Sequence, residues 1–200
     1  NWCLCNIAAK MAIGIVTDRR DIYNEGIDHL QTGDTNGRLR RAIYHDYAPD
    51  YNFAQWQESG RDQGHTLMCV GLMGIICQLA WSQGDDFFAY DDNLFMRACE
   101  YAACCNYTNE TVPYTTYIWQ KQSQWGYPIP EEQTALGDGK WIKRAIWALP
   151  YYHYKGVKNI SDDNLKYTKI ATEYVGIEGG GGYYDANSCL LYTSDAADDM

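Results

Sequence analysis

The sequence predicts an all-α fold, a barrel or solenoid of helical hairpins, on three observations. Apolar residues recur at helical spacing in segment after segment; the connections are short or medium; and strand-like alternation is scarce. Trp2 to Val16 reads as an apolar helix, followed by a helix from Arg19 to Gln31 that Asp18 caps and whose inner side carries Ile22, Ile27 and Leu30. Gly33 to Gly37 is a turn, Arg38 to Tyr47 a short irregular segment, and Ala48-Pro49-Asp50 a break. Arg61 to Gln83 has almost no polar face, which predicts a core helix. Asp91 or Asp92 is expected to cap a helix from Asn93 to Asn106. Thr111 to Pro130, with three prolines and several aromatic residues, reads as a long loop. A helix from Trp141 to His153 and a last one, capped at Ser161-Asp162-Asp163 and running to Val175, complete the set. The glycine run from Gly179 to Gly182 must be a loop.

The 200-residue chain is 46% hydrophobic, enough for one domain with a core, and its 18 Tyr and 7 Trp exclude a disordered composition. Tyr and Trp also suit carbohydrate grooves, where rings meet sugar C–H faces and hydroxyls bond the polar rim. A net charge of -10 argues against a nucleic-acid partner, which needs a basic stripe. Local clusters of the other sign occur at Arg38, Arg40 and Arg41 and at Lys140, Lys143 and Arg144; each reads first as a solvated helix face, with a local anion site as the alternative. The eight cysteines show no CxxC pair and no zinc spacing, and most fall in apolar helical runs, which predicts free, buried thiols and no metal. The apolar run at residues 61–83 approaches membrane length, but Arg61, Asp62, His65 and Gln78 interrupt it, so no membrane span is expected.

Both ends read as artificial. The first residue is Asn1, already inside a helical pattern, and Cys189 to Met200 is similar to the translation of a sequencing adapter. Residues 1–188 are therefore expected to form a partial domain and 189–200 a non-native tail.

The chemistry is concentrated just ahead of the core helix. Glu58, Arg61, Asp62, Gln63 and His65 are polar side chains at a helix entry, and the four-residue spacing of Arg61 and His65 would place them on one helix face. Asp62 complements the helix dipole. The same residues would serve as a capping network or as a pocket rim.

The string Trp56-Gln57-Glu58-Ser59-Gly60-Arg61-Asp62-Gln63-Gly64-His65-Thr66 resembles the signature of the alginate-lyase-domain family of α/α-toroid polysaccharide lyases. Met11 to Gly14, Arg41 to Tyr44, Ala80 to Gly84, Val112 to Tyr117, Arg144 to Trp147, Tyr152 to Tyr154 and the glycine loop before Tyr183 and Tyr184 agree with it. The resemblance implies an incomplete α/α toroid that cleaves a uronic-acid polymer, alginate or glucuronan-like, by metal-independent β-elimination without a cofactor. It implies an anionic polysaccharide as partner and, because such polymers are met outside the cytoplasm, a periplasmic or secreted location.

The reaction needs a group to neutralise the substrate carboxylate, a base for the C5 proton and an acid for the leaving oxygen. Carried onto this chain, His65, Tyr114, Tyr117 and Tyr152 are the catalytic candidates. Asn1, Glu58, Arg61, Gln63, Arg144 and His153 are the substrate-binding ones, Gln63 either touching the carboxylate or bracing His65. A glycoside hydrolase using Glu58 and Asp62 as its carboxylate pair, and a non-catalytic glycan-binding helical module, are the alternatives. The Gln-rich segment Gln120 to Trp125 would join the groove or be plain surface.

Overall fold

A computed structural model describes residues 1–122 and 128–176; the expectations for the glycine run, Tyr183, Tyr184 and the adapter-like tail, and part of those for Gln120 to Trp125, lie outside them. The described chain is mainly helical, with two small antiparallel sheets that the all-α expectation did not include.

Helices α1 (Trp2–Val16) and α2 (Arg20–Thr32) form an antiparallel hairpin. Leu4, Ile7, Ala8 and Met11 line the inner side of α1, and two glycines let the helices approach. A Cβ on Gly14 would lie 2.5 Å from the Tyr23 backbone nitrogen, and one on Gly26 2.6 Å from the Met11 side chain. Asp18 does not cap α2. It takes a left-handed φ of 52° in the turn, and Arg19 occupies the cap position.

A short helix α3 (Leu39–Ala42) leads into β1 (Ile43–Asp46), which pairs with β2 (Ala54–Trp56) across a bulge between Ile43 and His45. Trp56 is fully buried and donates its indole N–H to the Ala98 carbonyl at 2.9 Å, tying β2 to the core.

Helix α4 (Gln63–Ser82) is the apolar helix expected from the sequence, though it starts two residues later, with Asp62 as its cap. It is long and apolar enough to cross a membrane by length and composition, yet Leu67, Val70, Met73, Ile76, Cys77 and Ala80 are buried within the protein core. Its antiparallel neighbour is α5 (Tyr90–Tyr107). The pairing is read from Gln63 against Asn106 at one end and Gly74 near Phe95 further along.

The expected cap at Asp91 or Asp92 is replaced by something less regular. Asp91, Asp92 and Asn93 all adopt left-handed φ, from 53° to 62°. Arg97 gathers this segment, donating to the carbonyls of Asp91 and Asp92 and, at 2.9 and 2.8 Å, to both oxygens of Asp46. Each L-residue in that region carries a backbone cost, here offset by a buried guanidinium that bonds the Asp91 and Asp92 carbonyls.

The predicted loop from Thr111 to Pro130 contains most of a hairpin instead: β3 (Tyr117–Gln122) pairs with β4 (Pro128–Gln133), Tyr117 opposite Gln133. The predicted helix Trp141–His153 is also corrected. Only α6 (Ala148–Tyr152) is α-helical, and a π-turn from His153 to Val157 continues it. Pro150 lies in the first turn of α6, where a missing N–H costs nothing, rather than near the end of a longer helix.

Helix α7 (Lys166–Val175) follows a 3-10 turn, Asp162–Leu165. No side-chain cap comes from Ser161; Glu100 of α5, 1% exposed, accepts the N–H groups of Tyr167 at 2.9 Å and Thr168 at 2.8 Å. A buried carboxylate thus fastens the start of α7 to the core, and burial pushes its pKa up.

The five cysteines of α4 and α5, Cys69, Cys77, Cys99, Cys104 and Cys105, are free and buried as expected; Cys3 and Cys5 of α1 are free but reach the surface.

Candidate functional site

The segment between β2 and α4 is a tight, clamped loop. Arg61 N and Asp62 N donate to the Glu58 carbonyl at 3.0 and 3.3 Å, closing a turn. From the other side, Gly137 N donates to the Ser59 carbonyl and Gln63 N to the Asp138 carbonyl, both at 2.8 Å. The hairpin lies against Gly60, where a Cβ would come within 2.5 Å of the Tyr114 hydroxyl and 2.6 Å of the Gln133 Cβ. Only glycine fits there.

Asp62 faces two ways. Its Oδ1 accepts the His65 backbone N–H at 2.7 Å, capping α4, and its Oδ2 lies 2.5 Å from His65 Nδ1. A carboxylate only accepts, so in the neutral imidazole the proton sits on Nδ1 and Nε2 is the acceptor. The His65 side chain is about one-third exposed.

Arg61 is not in the helix, which corrects the expectation that it shares a helical face with His65. It is brought near by another route. Its guanidinium sits 3.5 Å from Glu58 Oε2, 3.7 Å from Asp62 Oδ2 and 5.3 Å from the centre of the Trp119 ring. Two carboxylates and an indole therefore hold one cation in place. The amino nitrogen of Asn1 lies 3.4 Å from Glu58 Oε1, so the start of α1 meets this loop across 57 residues of sequence.

Buried polar atoms at this loop lack a hydrogen bond: Asn1 Nδ2, and Glu58 Oε2, which has the 3.5 Å ion pair with Arg61. Buried polar groups are nearly always paired, so their convergence marks the place where a polar ligand would find partners.

The three tyrosines separate. Tyr117 is 3% exposed; its hydroxyl donates to the Gln57 carbonyl and accepts from Gly60 N at 3.1 Å, and burial pushes its pKa up to about 12. That phenol braces the loop. Tyr114 has its ring centre 6.4 Å from that of Tyr117, and burial, together with the neighbouring Tyr117 hydroxyl, raises its pKa. Tyr152 is half exposed on α6, packed edge-on against Tyr151, and the structure does not bring it to the loop.

Gln63 is 2% exposed and committed to bracing: its amide donates to the Ser59 carbonyl at 3.3 Å and accepts from Asn106 at 3.1 Å. His153 is corrected too. Its ring lies 4.9 Å from that of Trp81, at the far end of α4, about 24 Å from His65 at the helical rise. It stacks on Phe88 at 3.6 Å and is 6% exposed, so it belongs to the core. Arg144 is buried near Tyr107, at the His65 end of the α4–α5 pair.

Two contributors were missed as site residues. Asp62 was read for its dipole and as a hydrolase carboxylate, not as the partner of His65, although its position three residues earlier is the spacing of a cap that reaches the third helical residue. Trp119 had no local signal, because only the hairpin carries it to Arg61. Among the described residues no cluster of His, Cys, Asp or Glu has the makings of a metal site. No family model, curated protein or solved structure matches the chain.

Proposed function

We propose that this chain is a polysaccharide lyase that cleaves a uronic-acid polymer, alginate or a glucuronan, by β-elimination on an α/α-toroid scaffold. The reading rests on one observation above the others: Asp62 Oδ2 lies 2.5 Å from His65 Nδ1, an arrangement that in the neutral imidazole assigns Nε2 as the acceptor. The antiparallel pairs α1–α2 and α4–α5 suit a toroid of hairpins.

In this reading His65 Nε2 takes the C5 proton. The amide of Asn1, with a donor not otherwise used, and the guanidinium of Arg61 meet the substrate carboxylate and lower the cost of the carbanion-like state. The electron pair forms the C4–C5 double bond as the C4–O bond breaks. The Tyr114 hydroxyl supplies a proton to the departing oxygen. These steps draw on protein groups alone, and a polymeric substrate implies a periplasmic or secreted setting.

Glycoside hydrolysis fits less well. It needs one carboxylic acid and one carboxylate flanking a bond, whereas Glu58 and Asp62 both face the same guanidinium. The test is to incubate the chain with alginate and with glucuronan and follow the ultraviolet absorbance of the unsaturated uronate. Absorbance should rise, and His65→Ala should abolish the rise with the fold intact by circular dichroism. Release of reducing ends without that absorbance would establish a hydrolase instead. Ligand retention with no product would leave a glycan-binding module.

A further inference from the structure

A second aromatic cluster stands on the same end of the α4–α5 pair. Trp141 and Tyr174 are both exposed, at 46% and 41%, with ring centres 5.6 Å apart and planes at 61°. Beneath them Tyr107 is buried and fixed, donating to the Ile142 carbonyl at 2.6 Å and accepting from the Trp147 indole at 3.1 Å.

Trp141 is held outward by its backbone. Its φ is 60°, a left-handed conformation that a large L-residue adopts only when its surroundings impose it, and its N–H is bonded to the Asn106 carbonyl at 2.9 Å. Asn106 in turn bonds Gln63, two residues from His65. The shelf and the Asp62–His65 pair are thus mounted on one rigid junction.

Two lysines stand at the shelf. Lys143 Nζ lies 5.0 Å from the centre of the Tyr174 ring, and Lys140 is tethered to the Thr108 carbonyl at 2.9 Å.

We infer that Trp141, Tyr174 and Lys143 form a subsite for a further sugar of an acidic polysaccharide. The indole takes the C–H face of the ring and the lysine takes its carboxylate. The inference rests on the uronate-polymer reading for its ligand, but not on turnover.

The test is equilibrium binding of the full chain to alginate and to a neutral glucan, by affinity electrophoresis. Trp141→Ala and Lys143→Glu should each weaken alginate binding about three- to tenfold, the range an exposed stacking or cation contact supports. Trp141→Phe should bind like the parent. Lys143 is a surface residue, so its variant carries the test if Trp141→Ala fails to fold. Wild-type binding in both Trp141→Ala and Lys143→Glu, or no alginate binding by the parent chain, overturns the subsite. Binding that depends on Trp141 without any unsaturated product overturns the lyase reaction and keeps the subsite.

Discussion

Asp62 and His65 are joined twice: one carboxylate oxygen caps the backbone of His65 at 2.7 Å and the other meets its imidazole at 2.5 Å. The group that starts the core helix is therefore the group that orients the proposed base. Helix capping and the orientation of the His65 ring, which belong to rival readings of this segment in the sequence, are served by one side chain.

Asp62→Asn separates the two roles. Asparagine caps a helix about as well as aspartate, so stability should change by less than about 1 kcal/mol. Its amide would offer a hydrogen to His65 Nδ1 and leave Nε2 protonated, the wrong tautomer for a base. Turnover should fall by about two to four orders of magnitude. Initial rates and thermal melts on the same preparation check this; near-wild-type rates would remove the pair from the mechanism.

Tyr114 and Tyr117 should respond to the same substitution in opposite ways. Tyr117→Phe leaves the Gln57 carbonyl and Gly60 N–H without their partner and should cost about 1–3 kcal/mol in denaturant unfolding. Tyr114→Phe removes a hydroxyl whose neighbour is the Tyr117 phenol rather than the loop backbone, so stability should change less than in Tyr117→Phe while product formation drops. Full activity in Tyr114→Phe would exclude it as the acid.

His153 should make stability depend on pH. Burial and the nearby Lys158 charge lower its pKa below the ordinary 6.5, against a smaller opposing pull from Asp86. The unfolded chain then takes up the proton first. The stability held above about 6.5 is lost as pH falls through the unfolded value toward the lower folded one. Glu100, whose pKa is raised, works in the other sense at lower pH, since its folded form binds the proton more tightly. Comparing melting temperatures of the parent and His153→Gln cancels Glu100, which both share. The parent's advantage should shrink between pH 7.5 and 5.5, values chosen to bracket 6.5. A constant gap would show that His153 does not titrate in that range.

The legible parts of the fold were those set by local pattern. The all-round apolarity of residues 63–82 announced a buried helix, and the polar string before it marked a helix entry. The hairpin was hidden because Pro128 and Pro130 argue against a strand; they are tolerated in a two-stranded ribbon, where each strand has an edge without a ladder partner. Trp141 to Trp147 looked helical by spacing, yet Trp141 is left-handed and Pro150 opens the short helix that follows. Asn1, Arg61 and Trp119 meet around Glu58 and Asp62 only because α1, the loop and the hairpin converge. No window of sequence contains all of them. The cap of α7 by Glu100 is of the same kind, a long-range partner standing where Ser161 looked sufficient.

Helix α4 begins at the proposed base and is buried for most of its length. His65 therefore has no soft hinge of its own, and loosening it means loosening the core. Binding and folding share one cooperative unit here: a ligand gripped at this helix start resists the melting of the whole chain, by about 2.7 kcal/mol at a hundredfold excess over its dissociation constant. A thermal-shift screen of acidic sugars would then report occupancy of the site even where no bond is cleaved.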